Sequence, residues 1–353
     1  MNQTGNHPSN PAERGASSQL TPLVEVTRGG RVESIHTGAV AVVDVNGRLV
    51  AHAGDPDWVT YLRSTAKPFQ LLPLVESGGA DRFGFTDQEL AVMAASHSSE
   101  PRHIETVQGI LDKIGLGEDM LHCGAHWPMS DAATRTLRDS GREPTPIYNN
   151  CSGKHAGMLA QAVYRGLSTH DYLDPRHPIQ VAILNTLAEM SGVEASAIDV
   201  GIDGCSAPCF ALPLRATARA FAWLADPSAL PEPRWRAVQR IANAMMAYPE
   251  MVGGEGRLDT DLMRAARGRV MSKGGAEGYQ GMAILSHGLG IAIKIVDGNG
   301  QRGCGPVAIE ALRQLGVLDD TLLAELRAHH TWVVKNHRKL DVGEVRPVFK
   351  LVP

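Results

Sequence analysis

Ser64 and Lys67 stand three residues apart in RSTAKPFQ, at an apparent helix entrance. Three residues is close to one helical turn, so both side chains project from one face. Pro68 fits a helix only in its first turn, which puts Ser64 at or just before the entrance. A serine at the positive end of a helix dipole is a cap or a nucleophile, and an amine one turn on is its candidate base. Lysine accepts a proton only when neutral, so its reference pKa near 10.4 must fall by about 3 units, at a cost of roughly 4 kcal/mol. Burial and a second nearby cation are the two means available. Lys273 in VMSKGGAEGYQG supplies that cation, ahead of an apolar strand, and Gly274 and Gly275 let a substrate approach the backbone closely. AASHSSEPRH adds Ser96, His97 and Ser98 at the end of a helical run. Taken singly, each piece also reads as a capping serine, a solvated lysine or a surface loop.

YNNCSGKHAGML crowds Asn149, Asn150, Cys151, Ser152, Lys154 and His155 ahead of a further helix, more reactive types than an ordinary loop needs. Cys151 and Lys154 repeat the i, i+3 spacing. GIDGCSAPCF places Asp203 and Cys205 in a tight turn at a strand end. The spacing of Cys205 to Cys209 is not that of a redox pair, and zinc there would require two further ligands that the sequence does not offer.

The elements that position these residues follow from periodicity. TGAVAVVDVNGRLVAHAGD reads as two strands around the Asn46-Gly47 turn, with a preceding strand in PLVEVTRGGRVES. From about residue 64 to 250 the pattern is mainly helical: DQELAVMAASHS, HIETVQGILDKIG, HAGMLAQAVYRGL, IQVAILNTLAEMSG and WRAVQRIANAMMAY carry apolar residues at i, i+3, i+4. Strands return in GYQGMAILSHG and GIAIKIVDGNG, followed by a helix in GPVAIEALRQLG and an extended EVRPVFKLV. The expected fold class is α+β: one mainly antiparallel sheet built from both chain ends, with the helical region packed beside it. Residues 1–22 are polar and rich in Asn, Ser, Pro and Gly, which predicts a disordered tail ahead of a single domain over 23–353.

The chain has 353 residues, 43% hydrophobic and 20% charged, with a formal net charge of −4, the profile of a globular protein with a sizeable core. The absence of a sustained basic cluster argues against nucleic acid or an anionic membrane surface as partner, and no run of 18 apolar residues predicts a membrane span. Five scattered cysteines without an apolar leader suggest a reducing cytoplasm.

RSTAKPFQ, SHSSEPRH, YNNCSGKHAGM, GIDGCSAP and SKGGAEG, in this order, together resemble the rhizobial-type L-asparaginase family, also called asparaginase II, over roughly residues 20–350. The resemblance implies a homodimer with a fold similar to serine β-lactamases and bacterial glutaminases, hydrolysing L-asparagine to aspartate and ammonia. Carried over motif by motif, it implies two pairs, Ser64 with Lys67 and Ser96 with Lys273. Arg63, beside the nucleophile, suits the substrate α-carboxylate or orders the pocket, and the resemblance makes His155 and Asp203 orienting groups around it. Relatives bind zinc through the cysteine and lysine of CSGK and a second cysteine. Aligned on GGEGRLDTDLM, that second position is Asp259, so the expected metal site is Cys151, Lys154, Asp259 and water. Loss of one soft thiolate predicts weaker zinc binding and chemistry that does not require the metal. Competing readings are a glutaminase, a β-lactam-recognising Ser-x-x-Lys hydrolase, or a non-catalytic amino-acid or metal sensor. No Ser-Asp-Asn element is present, and Lys273 is followed by Gly-Gly and not Thr-Gly, against the β-lactam version.

Overall fold

The computed structural model describes residues 20–353. The expected disordered tail falls mostly outside them, and its last two residues, Thr21 and Pro22, already open the first strand. The strands are β1 (Thr21–Arg28), β2 (Arg31–Asp44), β3 (Leu49–Ala53), β4 (Val59–Tyr61), β5 (Asp199–Ile202), β6 (Pro208–Pro213), β7 (Val270–Gly275), β8 (Tyr279–Ile284), β9 (Leu289–Ile295), β10 (Trp332–Lys335) and β11 (Asp341–Pro347). The main sheet runs β10-β11-β1-β2-β9-β8-β7, with β3 also paired to β2, and every ladder is antiparallel. Both chain ends therefore build one sheet, and the helical middle packs beside it, an α+β architecture.

The apolar run in β2 is nearly continuous because both faces of the sheet are covered. Ala39, Ala41 and Val43 join the core shared with Phe69, Leu72 and Phe221, while Val40 and Val42 join a second core with Ile291, Ile293, Val307 and Leu312. Alternation along the strand assigns one set to each face. The helices expected from periodicity form at Asp87–Met93, Pro101–Ile114, Ser152–Tyr164, Pro178–Ser191, Glu232–Ala247 and Gly305–Gln314.

Two features go beyond the sequence reading. The helix Leu214–Ala225 lies on the first face of the sheet, burying Leu214, Ala218, Phe221 and Ala222. Its approach is so close that a Cβ on Gly290 in β9 would stand 1.9 Å from the Ala218 carbonyl oxygen. The helical region also contains a three-stranded sheet, β4-β6-β5. It fixes the segment leading into Arg63 and Ser64 beside the segment leading into Asp203. Among the described residues no helix is long and apolar enough to cross a membrane.

Candidate active site

Arg63–Ala66 is a single 3-10 turn, and the helix proper starts at Lys67, with Pro68 in its first turn as expected. Arg63 has φ 53°, a left-handed conformation that a β-carbon makes costly. That bend redirects the chain out of β4 and sends Lys67 into the interior. Ser96 follows the helix Asp87–Met93 and is tied by its N–H to the Val252 carbonyl at 3.0 Å. Lys273 comes from β7 at the edge of the main sheet.

These elements meet at one hydroxyl. Lys67 Nζ and Lys273 Nζ each lie 3.0 Å from Ser96 Oγ, and Lys67 also donates to the Ala95 carbonyl. Both lysines are buried, at 1% and 0% exposure, so neither ammonium is hydrated. Burial pushes the Lys67 amine down, with the nearby Lys154 charge adding to it. Burial likewise lowers Lys273 to about 7; Asp259 opposes this and the Lys67 charge reinforces it. Two like charges on one hydroxyl repel, so the pair holds fewer than two protons near neutrality. No hydrogen bond joins Lys67 to Ser64, which is half-exposed beside Arg63. The predicted grouping of Ser96 with Lys273 is thus present, and Lys67 belongs to the same cluster.

Asp259 is not placed as the aligned motif suggests. It opens the helix Leu258–Ala266, and its Oδ2 lies 3.9 Å from Lys273 Nζ. Oδ1 accepts from Ser272 and Gln280, each at 2.8 Å, and Oδ2 accepts the Gly274 N–H at 2.8 Å. Burial would raise this carboxyl, but the Lys273 charge and those donors overcome it and hold it below its usual value. Asp259 is the counter-ion of Lys273.

Cys205 takes the position beside Cys151 and Lys154. Lys154 Nζ donates to Cys205 Sγ at 2.9 Å. A thiol hydrogen bond from Cys205, with the Lys67 and Lys154 charges, holds Cys151 well below the usual thiol range, while Cys205 is raised as its protonated partner. Burial opposes the Lys154 charge, but Cys151 and Cys205 outweigh it and raise that amine. Two sulfurs and one amine are a donor set that suits a borderline-soft cation such as zinc. Among the described residues no three His, Cys, Asp or Glu side chains converge on a metal position, so such a site depends on Lys154.

Arg63 Nε donates to Asp203 Oδ1 at 2.8 Å, joining two residues 140 positions apart. Burial raises the Asp203 carboxyl, but Lys154 and Arg63 more than compensate and keep it ionised. His155 is fully buried, its Nδ1 at 2.7 Å from the Tyr172 hydroxyl, which also accepts the His122 N–H at 3.0 Å. The other ring nitrogen, Nε2, is buried and has no hydrogen-bond partner among the described residues. Burial, then Lys154 and Lys67, keep the ring neutral. Ser272 and Gln280 are the residues sequence reasoning missed; Cys205 it singled out but set aside as a metal ligand. Ser272 was legible as a polar position next to Lys273 in β7, and Gln280 as a polar position in the largely apolar β8. A cavity of about 610 Å³ lies elsewhere, lined by Glu105, Asp112, Glu118, Arg142 and Tyr148.

A buried hydroxyl held between two amines, one of them lowered to about 7, is an arrangement able to take up and release a proton on an α+β scaffold. The chain belongs to the L-asparaginase II family, whose model matches residues 24–347. Among solved structures it is similar to Mglu in its native form in the presence of 4.3 M NaCl, at 16% identity and a TM-score of 0.43, covering 80% of this chain and 61% of that one. A β-lactamase from Mycobacterium bovis is 16% identical with a TM-score of 0.37, covering 82% of this chain and 94% of that one. The chain therefore spans about three fifths of the length of Mglu. None of the curated proteins matches it.

Proposed function

We propose that this protein hydrolyses the side-chain amide of L-asparagine to L-aspartate and ammonia through serine–lysine chemistry. The observation that carries the reading is the Ser96 hydroxyl with both Lys67 and Lys273 at 3.0 Å. In this mechanism Ser64 Oγ attacks the amide carbon and loses its proton to neutral Lys67. Ser96 and Lys273 pass a proton to the departing nitrogen, so ammonia leaves and an acyl-enzyme remains. Water then attacks the ester, its proton returns through the same amines, and aspartate is released. The Ser64 backbone N–H, at the positive end of the helix, is the candidate for stabilising the oxyanion. Arg63, one-quarter exposed and anchored on Asp203, receives the substrate α-carboxylate.

A second reading makes Ser96 the nucleophile. It is favoured by the two amines on Ser96 and by the lack of a hydrogen bond from Lys67 to Ser64. Zinc, when bound, would be held by Cys151, Lys154 and Cys205 and would supply Lewis-acid polarisation. On the family resemblance alone, we also propose that the working form is a homodimer in the cytoplasm.

Ammonia release measured with asparagine, with glutamine and in buffer alone tests the function. Turnover of asparagine well above glutamine supports it. Equal rates would point to a broader amidase, and no release from either amide would refute the reading.

A further inference from the structure

Glu277 is the one carboxylate at the mouth of this site that no hydrogen bond from a described residue occupies. It sits in the turn between β7 and β8 with φ 60°, so a non-glycine residue holds a left-handed conformation at the tip. The turn is built onto the site: a Cβ on Gly275 would stand 2.8 Å from the Leu62 carbonyl oxygen, just before Arg63. It is also pinned from below. Lys294, 7% exposed, donates to the Glu277 carbonyl and, at 2.9 Å, to the Ile295 carbonyl, and the Ile295 N–H donates to Gly278 at 2.8 Å. A buried cation that no catalytic step uses thus fixes the backbone of an exposed acid.

The Glu277 Oε1 lies 3.8 Å from Arg63 Nη1. That separation brings opposite charges together without a direct hydrogen bond, so each keeps its donors and acceptors available. Asp203 is different: its Oδ1 already accepts from Arg63 Nε and the Gly204 N–H, each at 2.8 Å. A guanidinium and an uncommitted carboxylate side by side match the paired charges of an α-amino acid.

We infer that Glu277 recognises the α-ammonium of the substrate while Arg63 takes the α-carboxylate, making the site selective for free L-α-amino-acid amides over acids that lack the amine. The inference rests on the amino-acid amide reading above. Lys294 is a positioning residue for this contact.

The test compares L-aspartate with succinate, which lacks only the ammonium, as inhibitors of asparagine hydrolysis by wild type and Glu277→Gln. In the wild type, aspartate is expected to inhibit roughly tenfold more strongly than succinate, the scale of one hydrogen bond to a charged group. Glu277→Gln should erase that preference, leave succinate inhibition unchanged, and raise KM for asparagine more than it lowers kcat. A preserved preference would overturn the inference. Equal weakening of both inhibitors would also overturn it, because Glu277 would then only orient Arg63. A wild type that releases no ammonia from asparagine would instead refute the amidohydrolase reading that the inference presupposes.

Discussion

Asp259→Asn isolates the charge that sets the Lys273 amine. At 3.9 Å the Asp259 carboxylate is the opposite charge that raises this lysine against the pull of burial. With an effective dielectric of about 20, a unit pair at that distance is worth about 4 kcal/mol, which is equivalent to about 3 pH units. The asparagine dipole and local relaxation recover part of this, so the expected fall is about 1–2 units, from about 7 to roughly 5–6. In the proposed mechanism Lys273 passes on a proton, so its protonated form is the working one, and the alkaline limb of kcat/KM must shift to lower pH by the same amount. The assay is ammonia release across the range from about pH 5 to about pH 9, with kcat/KM taken at each point. Asparagine also replaces one acceptor of the Ser272, Gln280 and Gly274 donors with a donor, at a cost of about 1–3 kcal/mol of stability. Thermal unfolding of the variant therefore accompanies the kinetics. A folded variant whose alkaline limb stays in place, or moves upward, refutes the assignment of Lys273 as the titrating proton donor.

Three further outcomes follow from the geometry. Ser64→Ala and Lys67→Met should each remove most turnover, and the double variant should be little worse than either, as for residues acting as one unit; if Ser64→Ala keeps more than roughly a tenth of turnover while Ser96→Ala keeps none, Ser96 is the nucleophile. Zinc content of protein purified without chelator should fall in Cys151→Ser and Cys205→Ser and persist in Asp259→Ala; equal content in all three would eliminate the site built on Lys154. Gly290→Ala should cost more than about 3 kcal/mol in denaturant unfolding, because the Ala218 carbonyl lies within bonding distance of the new methyl and belongs to a packed helix that cannot yield. A loss below about 1 kcal/mol would mean the helix Leu214–Ala225 sits further from the sheet than described.

What the sequence determined by itself was local: which segments are strands or helices, where turns fall, and which reactive residues share a motif. Period-2 and period-3.6 patterns report a residue's own element, so β2, β9 and the helix Ser152–Tyr164 were all legible from them. The helix Leu214–Ala225 was not singled out, although Leu214, Ala218, Phe221 and Ala222 share one face. The tertiary structure alone decided the partners. Ser64 and Lys67 share a turn yet form no hydrogen bond, because the 3-10 turn ends before Lys67 and the lysine enters the interior toward Ser96. Cys205 stands beside Lys154 where Asp259 was expected, for a similar reason: Asp259 opens a helix facing β7 and β8, while the β5–β6 turn carries Cys205 to Lys154, 51 residues earlier in the chain. Contacts across 140 or 177 positions, such as Arg63 with Asp203 and Ser96 with Lys273, depend on how two sheets and the helices between them pack. Side-chain spacing carries no record of that packing, since it arises from burial of apolar faces distant in sequence.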